Sequence, residues 1–312
     1  MSHRGHRDRA WLPCPGLRPG RRAAGPGCRE GVARSAPESE SASTSVPEST
    51  PESDPVAVAA QAEQAIDPVF HFPRGTRAGH CLHDLFEHLD FRDAAGPALA
   101  QAAQSALARH GLEARWAETL EELVDRVLDT PLDRDGLRLR GLAPADRRNE
   151  LEFHFAMDGF DPGALGAVLA AHGVPTLGAG GPAGAGSAAL SGLMKGFVDL
   201  VMRVDGRFYI LDYKSNHLGD SLDDYGPAGL ARAMLQHGYH LQYLIYTVAL
   251  HRYLRRRLPG YDYDQAIGGV RYLFLRGMRP AAGPERGVFA ARPARALIED
   301  LDRLFDRTAA VN

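Results

Sequence analysis

The segment from Lys195 to Ser215, KGFVDLVMRVDGRFYILDYKS, constrains the fold of this chain more than any other part. Two runs rich in β-branched and aromatic residues flank Asp205 and Gly206. An Asp-Gly pair in this position is the strongest short-range signal for a β-hairpin, because a type I′ turn needs positive φ at both central residues. The sequence therefore predicts a two-residue turn, in which Val204 pairs with Arg207 and the register of the hairpin is set.

This register places two carboxylates on one face of the hairpin. Asp199 is predicted to lie opposite Asp212, with β-carbons roughly 4.5–5.5 Å apart, and Lys214 projects from the same face because side chains alternate along a strand. Like charges that face each other are destabilising, and a hard divalent cation such as Mg²⁺ would compensate both, since it binds carboxylate oxygens. A lysine beside such a cation and a phosphate can orient or deprotonate an attacking water.

An ordinary polar surface is the alternative for these residues, with Lys214 as the salt-bridge partner of Asp199 and Asp212 on a solvated face. Large apolar residues share the face and argue against a fully wet surface: Phe197, Val201, Phe208 and Ile210. Lys214 also stands out because it and Lys195 are the only lysines among 36 basic residues, and lysine can be deprotonated where arginine cannot. We therefore favour metal-dependent phosphodiester chemistry.

Composition separates the N-terminal region from the rest of the chain. Residues 35–55 form a Ser/Pro/Glu tract that buries too little apolar surface to offset chain entropy. We predict a disordered, low-complexity tail over residues 1–67, acting as a solvated tether or as a contact arm, and a folded domain over residues 68–312. In that domain strands mix with helices, which indicates an α/β fold. The Gly/Ala-rich segment 178–192 is expected to be a flexible surface loop.

Periodicity locates the other elements of the folded domain. Helices are predicted around residues 82–89, 117–127, 163–173, 239–257 and 293–305, and strands at 150–157 and 269–275.

Charge and hydropathy exclude several classes of protein. With 36 Lys and Arg against 39 Asp and Glu, and 44% hydrophobic residues, the chain is neither a histone-like basic protein nor disordered throughout. No run reaches the 18 or so apolar residues that a membrane span needs, and the first 35 residues lack a signal peptide. We expect a cytoplasmic protein with no membrane association. Cys14, Cys28 and Cys81 are too few for an iron–sulfur cluster or a disulfide framework.

Asp-x12-Asp-x-Lys on a hairpin resembles the core of the PD-(D/E)xK nucleases, although the proline of that motif is absent. Three longer runs resemble the C-terminal nuclease domain of RecB, the beta subunit of exodeoxyribonuclease V: FPRGTRAGHCLHDLFEHLDF, GFVDLVMRVDGRFYILDYKSNHLG and HGYHLQYLIYTVALHRYLRRRLPGYDYDQAIGGVRYLFLRG. The resemblance covers roughly residues 68–310. It implies a restriction-endonuclease-like core, a mixed sheet flanked by helices, with the metal site on the hairpin.

The resemblance also implies roles for individual residues. His83 would be a metal ligand beside Asp199 and Asp212, the backbone carbonyl of Tyr213 would complete the shell, and Lys214 would be catalytic. The cofactor would be one or two Mg²⁺ ions, with Mn²⁺ as the alternative because both accept oxygen-rich sites.

Three further assignments have open alternatives. Taken alone, a histidine such as His83 is more often an ordinary half-buried residue than a metal ligand. Gln242 and Tyr246 match the QxxxY element of the family and would contact DNA, since a glutamine and a phenol on one helix face can hold a phosphate or stack on a base; helix packing is the alternative. Either Glu150 or Glu152 would add a carboxylate to the site. The basic end of the helix, Arg252 and Arg255 to Arg257, suits a helix C-terminus or tracks phosphates.

The activity that the resemblance implies is Mg²⁺-dependent exodeoxyribonuclease action in helicase-coupled DNA-end processing and recombinational double-strand break repair. The implied partners are DNA, as single strands or duplex ends, RecC- and RecD-like subunits, and RecA. The chain carries no ATPase signature, so we expect a RecB-like subunit or fragment without the helicase. Two alternatives are a catalytically silent docking module for RecC- or RecA-like partners and a stand-alone restriction or phage-type nuclease.

Overall fold

The computed structural model describes residues 67–176 and 190–305 of the chain. Its helices and strands, in chain order, are α1 (Pro68–His71), α2 (Thr76–His88), α3 (Gly96–Arg109), α4 (Ala117–Asp129), β1 (Arg147–Phe160), α5 (Pro162–Ala171), β2 (Leu190–Val204), β3 (Arg207–Lys214), α6 (Pro227–Gln236), α7 (Tyr239–Arg257), α8 (Tyr263–Ala266), β4 (Ile267–Phe274), β5 (Val288–Ala291) and α9 (Arg295–Phe305). The strands form one sheet in the order β1-β2-β3-β4-β5. Only β3 and β4 are parallel among these neighbours, so the predicted mixed sheet flanked by helices is confirmed.

The central hairpin has the predicted turn. Asp205 has φ 50° and Gly206 has φ 80°, which are the positive values that a type I′ turn requires. The ladder begins at the pair Val204–Arg207 and keeps the predicted register. Local turn chemistry therefore determines which residues of β2 and β3 face each other.

Helices cover both faces of this hairpin. Phe86 of α2 stacks on Tyr213, with ring centroids 4.8 Å apart, whereas Gln242 of α7 contacts the next residue, Lys214. Consecutive residues of a strand point to opposite faces, so α2 and α7 lie on opposite sides of the sheet. The core accordingly has two layers, and its fully buried members include Leu82, Leu85, Leu200, Leu211, Val201, Ile210, Leu244 and Val248.

A buried arginine connects the beginning of the domain to the sheet. The Arg276 guanidinium is 1% exposed and donates hydrogen bonds to the carbonyls of Val69, Phe72, Pro73 and Ser215 over 2.7–3.1 Å. Burial lowers the pKa of Arg276 to about 10. Four backbone acceptors thus hold α1 and the start of the α2 connection against the residue that follows β3.

The other predicted elements are close to the observed ones. Helix α7 has the predicted bounds, β4 begins at Ile267 two residues early, and helices α3 and α6 and strand β5 were not predicted. Residues 1–66 of the predicted tail and residues 178–189 of the predicted loop lie outside the described residues. Residues 190–192 belong to β2, where Gly192 pairs with Met157, so the loop prediction is wrong for these three. No helix of the described part is long and apolar enough to span a membrane.

Candidate active site

The two predicted carboxylates lie where β2 and β3 separate. The ladder between these strands ends at Leu200–Leu211. One residue further, the Asp199 carboxylate accepts a hydrogen bond from the Tyr213 backbone N–H, at 2.9 Å from Oδ2. Asp212 lies beside Tyr272 in the parallel ladder with β4 and is 2% exposed. The sheet therefore holds Asp199 at the point of separation and Asp212 in its interior.

Asp212 is an unusual carboxylate for a protein interior. Burial and the neighbouring charge of Asp199 raise the pKa of Asp212 to about 7, although Lys214 and His83 oppose the shift. Its Oδ2 is buried, and the Nζ of Lys214 lies 2.5 Å from that oxygen. A buried carboxylate next to a second carboxylate is costly to ionise, and a nearby divalent cation would offset that cost.

Lys214 lies on the Asp212 side of the sheet, as the register predicts, and is 8% exposed. Its Nζ donates to Gln242 Oε1 at 3.0 Å. The same nitrogen lies over two aromatic rings, 3.9 Å from the ring centroid of Tyr239 and 4.9 Å from that of Tyr272. The ammonium group is therefore surrounded by one carboxylate, one amide oxygen and two ring faces.

His83 reaches the carboxylates from the other side of the sheet, on α2. Its Nδ1 is 3.3 Å from Asp199 Oδ2. Burial alone would lower the pKa of His83, but the hydrogen bond to Asp199 and the charges of Asp199 and Asp212 outweigh it, and the pKa is raised. The structure thus brings His83, Asp199, Asp212 and Lys214 together, and their roles as ligands and catalyst stay predictions.

Gln242 and Tyr246 form a hydrogen-bonded chain on α7. Gln242 Oε1 accepts from Lys214 and from the Tyr272 hydroxyl, at 3.0 Å each, and Gln242 Nε2 donates to the Tyr246 hydroxyl at 2.9 Å. All of these contacts are internal to the protein. They show that Gln242 helps to hold Lys214, and contact with DNA by either residue stays a prediction.

Comparison with known proteins agrees with this geometry. The profile of the PD-(D/E)XK nuclease superfamily matches residues 59–311.

This chain belongs to the PD-(D/E)XK nuclease superfamily.

The chain is also similar to curated RecB proteins from several bacteria. The chain is 38% identical over 253 residues to the RecBCD enzyme subunit RecB of Escherichia coli, covering 80% of this chain and 20% of that protein. It is 38% identical over 240 residues to RecB of Haemophilus influenzae, covering 76% and 19%, and 36% identical over 282 residues to RecB of Mycobacterium tuberculosis, covering 81% and 26%. The resemblance found in the motifs is confirmed, and the chain spans about a fifth to a quarter of the length of these relatives.

Tyr213 contributes to this nuclease site through its backbone N–H, which binds Asp199. Its side chain points to the α2 side, stacks on Phe86 and meets the His83 ring edge-on, with centroids 6.1 Å apart. Burial raises the pKa of Tyr213, so the phenol stays neutral. The role of its carbonyl as a metal ligand stays a prediction.

The structure distinguishes the two glutamates of β1. Glu152 forms an ion pair with Lys195 at 2.7 Å. Glu150 lies between the paired residues Asn149 and Leu151 of β1, and its φ of 48° is unusual for a non-glycine residue in a strand. Burial raises the pKa of Tyr246, and the charge of Glu150 adds to that shift. Glu152 therefore has an internal partner, and the place of Glu150 in the site stays a prediction.

A second group of possible metal ligands lies one turn further along α2. The ligand atoms of Asp84, Glu87 and His88 all lie within 4.8 Å of one another. Among the described residues, this is the group of three that meets that spacing. The ligand atoms of His83, Asp199 and Asp212 are more widely spaced. Asp84 already pairs with Arg109 at 2.7 Å and with His110 at 3.1 Å. Because the Arg109 guanidinium balances the charge of Asp84, the packing of α2 against α3 explains this cluster.

The basic end of α7 also has internal partners. Arg252 pairs with Asp302 of α9 and Arg255 lies 3.0 Å from the same carboxylate. Helix packing thus accounts for these two arginines, while the phosphate-tracking role stays a prediction.

Sequence patterns missed two of the groups around Lys214. Tyr239 precedes Gln242 by three residues on α7, so helical spacing could have placed it on the same face. Tyr272 lies on β4, and its place beside Asp212 follows from a parallel register that no local pattern specifies.

Proposed function

We propose that this chain hydrolyses DNA phosphodiester bonds with the help of a divalent cation, Mg²⁺ or Mn²⁺. Membership of the nuclease superfamily supports the reaction class. The observation that carries the metal dependence is the Asp212 carboxylate, which is 2% exposed, lies beside the charge of Asp199, and is contacted by Lys214. Neighbouring carboxylates resist ionising together, and a cation between them removes that conflict.

The donor set fits such a cation. Asp199, Asp212 and His83, with the Tyr213 carbonyl, would hold it, and Glu150 adds a nearby carboxylate; carboxylate and carbonyl oxygens are the ligands that Mg²⁺ and Mn²⁺ prefer. When bound, the cation supplies a Lewis acid that polarises the scissile phosphate and the attacking water.

The remaining chemistry belongs to the protein's own side chains. Lys214 orients the attacking water and offsets negative charge on the phosphate as it reacts. Gln242 holds Lys214 through its Oε1, and with Tyr246 it borders the position of the DNA strand. His83 keeps Asp199 oriented by its contact with Oδ2.

We further infer exonucleolytic action, strongest on single strands, in DNA-end processing and recombinational double-strand break repair. The support is similarity to proteins whose name identifies them as the RecB subunit of the RecBCD enzyme. RecC- and RecD-like subunits and RecA are the proposed partners, and the cytoplasm is the proposed location.

The decisive experiment is a cleavage assay with purified chain on linear single-stranded, linear duplex and circular single-stranded DNA. We expect Mg²⁺ to support degradation of linear DNA, EDTA to abolish it, and the circular strand to resist. Asp212→Asn should be inactive, whereas Asp84→Asn, which changes the ion-paired cluster on the same domain, should keep activity.

Intact DNA with folded wild-type protein, in Mg²⁺ and in Mn²⁺, would contradict the proposal. Co-purification of that inactive protein with a RecC-like subunit would then favour the docking module. Rapid cutting of the circular strand would instead favour a restriction or phage-type nuclease.

A further inference from the structure

We propose that Tyr239 and Tyr272 are positioning residues that hold the Lys214 ammonium group between their ring faces. The inference deepens the proposed function and rests on it, since it assigns a task to the groups around the catalytic lysine. We call the two rings the aromatic cradle.

The geometry of Lys214 motivates the inference. An ammonium group has three N–H donors, and here Asp212 and Gln242 engage two directions, at 2.5 and 3.0 Å. The remaining surroundings are the ring faces of the aromatic cradle, whose centroids lie 3.9 and 4.9 Å from Nζ. Both distances fall inside the range of about 6 Å over which a ring quadrupole attracts a cation.

Both rings are themselves fixed by hydrogen bonds and stacking. The Tyr239 hydroxyl donates to Asn216 Oδ1 at 3.2 Å, and its ring stacks on His237 with centroids 5.2 Å apart. The Tyr272 hydroxyl donates to Gln242 Oε1 at 3.0 Å. A ring that is held on several sides can impose a position on the cation above it, as preorganised sites require.

The aromatic cradle can hold Lys214 when a cation competes with it for Asp212. Asp212 is both the closest anion to Lys214 and a proposed ligand for the divalent cation, so a bound cation competes with Lys214 for the same carboxylate. Ring faces and an amide oxygen are neutral, and they attract the ammonium group whether or not Asp212 is engaged elsewhere. Lys214 therefore stays in place beside the phosphate when its charge partner is taken.

The composition of the chain allows a direct test that needs no catalysis. Lys195 and Lys214 are the only lysines, so ¹³C labelling at the lysine ε-carbon gives two NMR signals, and Lys195→Arg assigns the one from Lys214. In EDTA, we expect the Lys214 ε-protons to be shifted strongly upfield by the Tyr239 ring. Tyr239→Phe should keep the shift and Tyr239→Leu should lose most of it.

Kinetics on linear single-stranded DNA provide the second arm. Tyr239→Leu should lower kcat about ten- to a hundredfold at saturating Mg²⁺, with KM for DNA and the half-saturating Mg²⁺ concentration unchanged. Tyr239→Phe should restore kcat to within about twofold, because it keeps the ring and loses only the hydroxyl. Thermal melting checks that each variant is folded. Tyr253→Leu, at a half-buried residue of α7 whose ring centroid lies 5.3 Å from Cζ of Arg257, serves as a control for general damage to the helix.

The outcomes separate this inference from the proposed function. An unshifted Lys214 signal in the wild type overturns the cradle, and so does full kcat in a folded Tyr239→Leu variant that has lost the shift. Failure of Tyr239→Phe to restore kcat also overturns it, since the hydroxyl rather than the ring would then matter. Shifted signals in a protein that cleaves no DNA would leave the cradle geometry supported while contradicting the proposed nuclease activity.

Discussion

Two buried cations lie at the ends of the adjacent parallel strands, and they are held in opposite ways. Arg276, just beyond β4, donates to four backbone carbonyls. Lys214, the last residue of β3, contacts the Asp212 carboxylate and the Gln242 amide. Arg276 is 1% exposed and Lys214 is 8% exposed, so burial alone does not distinguish them.

Their partners make the difference. Backbone carbonyls are neutral and fixed by the fold, so Arg276 has nothing to exchange and stabilises the packing of α1. The partner of Lys214 is a carboxylate whose pKa is raised to about 7 by burial and by Asp199, and that carboxylate can take a proton or a cation instead. A buried cation with neutral, fixed partners is structural, and one with a contested partner is suited to catalysis.

The largest effect expected from this comparison is on catalysis. Lys214→Met should lower kcat on linear DNA by about a thousandfold, and Lys214→Arg should not restore it, because arginine cannot give up a proton or replace a compact ammonium group. The melting temperature should change little, since Asp212 can become neutral by protonation once its partner is removed.

Lys195→Met is the matched control, since it removes the only other lysine. It should keep activity, because Lys195 is 56% exposed and pairs with Glu152. A large fall in melting temperature for Lys214→Met would contradict the comparison, since Lys214 would then be as structural as Arg276.

The complementary variant, Arg276→Met, should lose stability and keep activity. Its removal leaves four buried carbonyls without their donor, and we expect about 3 kcal/mol lower free energy of unfolding. Urea unfolding measures the loss, and cleavage assayed well below the melting temperature should stay within a few-fold of wild type. Arg92→Met, at an exposed ion pair, should leave the free energy of unfolding close to the wild-type value. Wild-type stability in Arg276→Met would remove the structural half of the comparison.

Sequence patterns predict the elements that depend on neighbouring residues, namely the β2–β3 hairpin and helix α7. The Asp205-Gly206 turn dictates the hairpin register, because few backbone conformations satisfy its φ values. Helix α7 was predicted from its apolar residues, and it begins after Gly238, whose φ of 65° lies outside the helical region. These elements depend on residues that are neighbours in the chain, so the sequence pattern was sufficient.

Contacts between residues that are distant in the chain could not be predicted from local patterns. Tyr272 reaches Asp212 only because β4 pairs in parallel with β3 after a crossover through α6 and α7. Arginine is usually a surface residue, and nothing in the local run FLRG predicts that Arg276 is buried. Its burial follows from packing against α1. Helix α3 is rich in alanine, which gives weak contrast between its buried and exposed faces. Tertiary contacts decide each of these cases.

The raised pKa of Asp212 allows a test of whether this carboxylate exchanges its partner. Below 3.8, the ordinary value of an aspartate, folded and unfolded chains both hold the proton; between 3.8 and about 7 only the folded chain keeps it. Rising pH over this window therefore destabilises the wild type, and the contribution is lost above about pH 7. In EDTA, Asp212→Asn should become more stable relative to wild type by about 4 kcal/mol between pH 4 and pH 8.

Urea unfolding of both proteins at several pH values gives this difference directly. An Asp212→Asn effect that is constant from pH 4 to pH 8 would mean that the carboxylate is ionised throughout. Asp212 would then be permanently matched to Lys214, and the distinction between contested and fixed partners would fail.

The smallest effect concerns His83, which lies on the other side of the sheet from Lys214 and contacts Asp199. His83→Gln should raise the half-saturating Mg²⁺ concentration for cleavage by about tenfold, with kcat at saturating Mg²⁺ nearly unchanged, because His83 is a proposed ligand of the cation and contacts Asp199, whereas Lys214 orients the reacting water. His88→Gln is the matched control on α2, where the histidine contacts Asp84 in the ion-paired cluster and should have no effect. Equal shifts in both variants would trace the change to α2 as a whole. A shift confined to His83→Gln would identify the contact with Asp199 as the feature that separates a histidine of the site from one that only packs the helix.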